Sequence, residues 1–106
     1  MSNKTFQSIS ANDAKTMMES EKNIIILDVR TKDEYEEGHI KHAILLPVAE
    51  VELEAEYMLE DKAQTILVYC RSGVKSKIAS QLLVELGYTN VYEFGGLLNW
   101  PYEITQ

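Results

Sequence analysis

Two short runs, NIIILDV (Asn23 to Val29) and TILVY (Thr65 to Tyr69), are apolar at almost every position, and they constrain the fold more than any other feature of the chain. A strand with one wetted face alternates apolar and polar residues, whereas a run without alternation is covered on both faces. Segments of helical period surround these runs. Ser10-Ala-Asn-Asp13 fits a capping box and opens a helix through Ser20, with Ala14, Met17 and Met18 inward. Thr31 to Gly38 reads as a short helix and AILLP, ended by Pro47, as a short strand. From Ser76 a helix is expected whose inward face is Ile78, Ala79, Leu82, Leu83 and Leu86, stopped by Gly87.

One segment is contradictory. EVELEAEYMLED (Glu50 to Asp61) alternates with a strand's period but consists of helix formers. A helix is expected, because two parallel strands need a crossover between them. NVYEF reads as the last strand and GLLNW as a turn or short helix. Together the elements predict an α/β fold in a single domain, residues 1–106, with a central, mainly parallel β-sheet flanked by helices.

In such a sheet, sites form at the carboxyl ends of the strands, and there the chain places its single cysteine, Cys70. A lone thiol excludes an intrachain disulfide and any multi-cysteine zinc site. If it reacts, an external acceptor must complete the chemistry. The loop that follows, Arg71-Ser72-Gly73-Val74-Lys75-Ser76, leads into a helix start, whose N–H groups favour an anion. No Asp or Glu occurs between Lys62 and Val84, although the chain carries a net charge of −7. The cysteine is therefore expected to have a cationic neighbourhood, which favours the reactive thiolate. The net charge argues against nucleic acid and anionic membrane as partners. No apolar stretch approaches a membrane span, and MSNKTFQSIS lacks the core of an export signal, so a reducing cytoplasmic location is expected.

DVRTKDEYEEGHI followed by LLP, the CRSG loop and GGLLNW occur in an order that resembles the rhodanese family of sulfurtransferases, from about Phe6 to Trp100. The resemblance implies a rhodanese domain of thiosulfate sulfurtransferase type. In it, Cys70 takes a sulfane sulfur from a small anionic donor such as thiosulfate and passes it to cyanide, a thiol or a sulfur-acceptor protein. Arg71, Ser72, Gly73, Val74, Lys75 and Ser76 match the loop that cradles the persulfide. No cofactor and no metal are implied. A low-turnover persulfide carrier or a rhodanese-like interaction module is the alternative. A cysteine phosphatase is disfavoured, because its loop needs an arginine six residues after the cysteine, where this chain has Ser76.

Asp28 and Arg30 match family positions near the loop, where a structural ion pair outweighs a catalytic role. Glu34, four residues after Arg30, is the arginine's expected partner. His39 is read as structural rather than as the base of a Cys–His pair, Trp100 as core packing or a lid, and Lys77 as a solvated surface charge. Between Ile40 and Ala43, where the family commonly has Pro-Gly, this chain has Lys41-His42, a change expected to alter a turn more than the chemistry.

Overall fold

A computed structural model describes residues 5–106; Met1 to Lys4, part of the stretch read for an export signal, lie outside the described residues. Five strands, β1 (Gln7–Ser8), β2 (Ile25–Asp28), β3 (Ile44–Leu45), β4 (Ile66–Cys70) and β5 (Val91–Gly96), form one sheet in the order β1-β5-β4-β2-β3. Every pairing in it is parallel. Among the described residues four α-helices accompany it: α1 (Ala11–Ser20), α2 (Lys32–Glu37), α3 (Val51–Met58) and α4 (Val74–Glu85). Among the described residues no helix is long and apolar enough to cross a membrane.

The unalternating strands are covered on both faces, as their composition demands. Leu27, Ile66, Val68 and Cys70 pack with Val51 and Ala55 of α3 and Ala79 and Leu83 of α4. Ile26, Leu67, Tyr69 and Phe94 turn the other way, onto Ala14 of α1 and the loop residues Ile40 and Ala43. Successive residues of β4 thus serve opposite cores, the two-residue period of a strand. Cys70 belongs to the α4 face.

Local chemistry explains the helix starts. The Ser10 hydroxyl accepts the Asp13 N–H at 3.0 Å and opens α1. Thr31 and Glu34 form a complete capping box on α2. The contradictory segment is a helix: of its alternating apolar residues only Val51 and Ala55 are buried, one turn apart, while Leu53 and Tyr57 face solvent. The strand-like period there has no partner surface.

Two expectations are corrected. The last helix starts at Val74, not Ser76, and its inner face is Ser76, Ala79, Ser80, Leu83 and Val84, leaving Ile78 52% exposed. Two small hydroxyl residues let this helix approach the sheet, and a count of apolar residues overlooks them. β1 was not expected at all. It is two exposed residues long and exists through its parallel pairing with β5.

Candidate active site

The site is built where β4 ends. The β4–β5 register breaks after Val68, so that Cys70 lies opposite Gly96. The chain leaving Cys70 passes directly over that glycine: a Cβ at Gly96 would lie 2.1 Å from the Arg71 carbonyl oxygen. That carbonyl accepts the Leu98 N–H at 3.1 Å, which ties the loop to the 3-10 turn Leu97–Asn99. Gly73, with φ +103°, takes the left-handed conformation that turns the chain into α4.

The turn brings two backbone donors onto the sulfur. The Gly73 N–H and the Ser76 N–H point at Cys70 Sγ over 3.0 and 3.3 Å. Cys70 is buried, only 2% exposed, at the base of a 310 Å³ cavity also lined by Arg71, Ser72, Val74, Lys75, Arg30 and Glu34. The loop residues expected from the sequence are therefore together: Gly73 and Ser76 supply N–H donors and the others form the walls.

Asp28 and Arg30 form a buried ion pair beside this cavity. Arg30 Nη2 donates to Asp28 Oδ2 at 2.7 Å and to the Gly38 carbonyl at 2.6 Å, while Arg30 Nε donates to Asp28 Oδ1 at 3.0 Å. The Tyr69 hydroxyl donates to Asp28 Oδ2 at 2.6 Å and accepts the Ile40 N–H at 3.0 Å. Burial, reinforced by the bond to Asp28, drives the Tyr69 phenol far above its ordinary range, so it remains a donor. The arginine's partner is thus Asp28 and not Glu34. Glu34 instead caps α2, and the Thr31 backbone N–H holds its carboxyl below the ordinary range. The short reach of a bidentate pair across one intervening residue wins over the helical spacing.

His39 has its Nδ1 2.7 Å from the Tyr35 carbonyl oxygen, and its ring stacks on Tyr35 at 3.7 Å. Trp100 packs on Phe94 and donates its indole N–H to the Glu103 carbonyl. Neither takes part in the hydrogen bonding around Cys70.

One residue escaped the sequence reading. Glu93 lies beyond the acid-free window, yet β5 brings it beneath the loop, 1% exposed. Its Oε1 accepts the Ser76 hydroxyl at 2.9 Å and the Gly95 N–H at 2.6 Å, and its Oε2 accepts the Ser8 hydroxyl at 3.0 Å. Lys77 Nζ is 3.5 Å from the same oxygen, so this lysine is an ion-pair partner and not a free surface charge. The cationic neighbourhood expected from the linear charge pattern is offset from below. The available signal was a lone acid between Tyr92 and Phe94 in an apolar strand.

The fold agrees with comparisons to known proteins. The family model for the rhodanese-like domain matches residues 10–102. Thiosulfate sulfurtransferase GlpE of Coxiella burnetii is 41% identical over 80 residues, covering 74% of this chain and 73% of that protein. A solved structure described as rhodanese with anions from E. coli superposes with a TM-score of 0.73 at 34% identity, covering 78% of this chain and 98% of that one. The chain is also 30% identical over 101 residues to a tRNA uridine(34) hydroxylase of Hamiltonella defensa, covering 91% of this chain and 28% of that protein. The chain belongs to the rhodanese-like domain family.

Proposed function

We propose that this chain is a sulfurtransferase that carries a sulfane sulfur on Cys70, from thiosulfate or a similar donor to cyanide or a thiol. The observation that carries the reading is the sulfur itself. It is held by two backbone N–H groups at the base of a cavity whose walls include Arg71 and Lys75. A hydrogen bond to a charged group contributes about 1.5–3 kcal/mol, so this cradle suits the anionic outer sulfur of a persulfide. Arg71 and Lys75 offset the two charges of thiosulfate as it enters, since Arg30 is already committed to Asp28.

The thiolate attacks the sulfane sulfur of thiosulfate. The S–S bond of the donor breaks, its electron pair leaves with sulfite, and Cys70 becomes a persulfide. Cyanide carbon or an acceptor thiolate then attacks the outer sulfur, the bond to Sγ breaks, and the Cys70 thiolate returns. The relatives named thiosulfate sulfurtransferases support this chemistry. Ser76 speaks against the phosphatase reading. Its hydroxyl is turned down to Glu93, so a carboxylate occupies the underside of the position where an oxyanion clamp would be needed.

Intact-protein mass tests the reading. Thiosulfate should add one sulfur atom to the wild type and none to Cys70→Ala, and cyanide should remove it with release of thiocyanate. A Cys70→Ala protein with full thiocyanate production sinks the assignment. Sulfur that loads but resists cyanide marks a carrier that discharges only to another acceptor.

A further inference from the structure

Glu93 is a buried charge with no function in the transfer just described, yet one of its partners, Ser76, belongs to the loop that holds the sulfur. Alternation along β5 turns Val91 onto the α4 face and Tyr92 and Phe94 onto the other, so Glu93 lies under the start of α4. The Ser76 hydroxyl is one of its ligands, and the N–H of the same residue is one of the two donors to Cys70 Sγ. Gly95, another ligand, packs against Gly73, the other donor: a Cβ on Gly73 would lie 3.4 Å from the Gly95 Cα. One carboxylate thus bonds the Ser76 end of the first turn directly and holds the Gly95 backbone on which the Gly73 end packs.

We propose that Glu93 is the positioning residue of the Cys70 loop: through the Ser76 hydroxyl and the Gly95 N–H it aims the two backbone donors at the sulfur. The inference rests on Cys70 being the reacting group. Two effects of Glu93 oppose each other. Its bonds align the donors that stabilise a thiolate, while its negative charge disfavours one. Lys77 offsets that charge weakly, being more than half exposed. The two effects can be separated by conservative changes. Glu93→Asp keeps the charge and withdraws the oxygens by one methylene. Glu93→Gln removes the charge but leaves an amide oxygen to accept from Ser76 and Gly95, and the Ser8 hydroxyl can turn to accept from its amide N–H.

The experiment is the second-order rate of Cys70 alkylation by iodoacetamide at pH 7, corrected for folded fraction by circular dichroism. Glu93→Asp should react about tenfold more slowly than wild type, the loss expected for one charge-assisted bond. Glu93→Gln should match or exceed the wild-type rate. Ser8→Ala should lower the melting temperature without changing the rate, because Ser8 touches the carboxylate and not the loop. Wild-type reactivity in Glu93→Asp, or equal slowing in Glu93→Gln, would overturn the proposal and leave the carboxylate a packing or charge element. The readout needs no sulfur donor. A protein that shows this pattern but never gains sulfur from thiosulfate fails the transfer reading alone, and one that gains sulfur without the pattern fails the Glu93 reading alone.

Discussion

Asp28 and Glu93 are two buried carboxylates on the strands that flank β4, one on each side of the cysteine's strand and on opposite faces of the sheet. Their surroundings differ in kind. Asp28 is met by a buried guanidinium in bidentate contact and by the Tyr69 phenol, so its charge is cancelled where it stands. Glu93 is met by hydroxyls and an amide, and among the described residues its only cation is a lysine more than half exposed. Cancellation in place makes Asp28 part of the frame that joins β2, β4 and the segment before β3. Glu93 instead draws part of its compensation from Ser76, whose N–H points at Cys70, so on the proposal above its position is coupled to whatever occupies that sulfur.

The largest effect should come from breaking the frame. Asp28→Ala strands the Arg30 guanidinium in the interior and should cost about 3–5 kcal/mol in urea unfolding. Cys70 alkylation per folded molecule should change less than threefold. A small stability loss with a large drop in reactivity would erase the distinction between the two acids. Gly96→Ala should cost less stability, about 1–3 kcal/mol, but much more reactivity. Its Cβ lands on the Arg71 carbonyl, so the loop must lift and the Sγ cradle must open. Reactivity preserved in this variant would show that the loop tolerates displacement from β5. The smallest effect belongs at the other edge of the sheet, where His42 has φ +71°. His42→Gly should relieve that left-handed strain and raise stability by about 0.5–1 kcal/mol, net of the backbone entropy that glycine adds, with Cys70 reactivity unchanged. A loss of stability would mean that the imidazole contributes more than its backbone costs.

His42 also illustrates what was legible in the sequence. The departure from Pro-Gly draws attention to this turn, where the structure shows a non-glycine residue in a conformation that favours glycine. The placement of Cys70 at a strand's end, the loop that follows and the parallel sheet were readable because strand burial and helix period are local patterns. The expected partner of Arg30 was wrong because helical spacing nominated Glu34, while the chain's exit from β2 folds Arg30 back onto Asp28. Glu93 was unreadable for a different reason. A window of sequence free of acids says nothing about a neighbouring strand that arrives from beyond α4. Ser76 was named as part of the loop, but its downward hydroxyl follows only from the register of α4 on β5.

The first turn of α4 has no side chain at Gly73 to accept its free N–H groups. The Cys70 sulfur accepts the Ser76 N–H, the third of the helix and the one that a serine or threonine N-cap would ordinarily satisfy. The reacting atom is therefore also the helix cap, and reciprocity follows from thermodynamics. Whatever the helix does to favour charge on the sulfur, charge on the sulfur does to favour the helix. Each addition or removal of an atom at Sγ then rewrites the stability of α4's first turn, so the loaded and unloaded proteins should differ in amide-exchange protection at Gly73 and Ser76. The protein's chemical state becomes readable in its backbone.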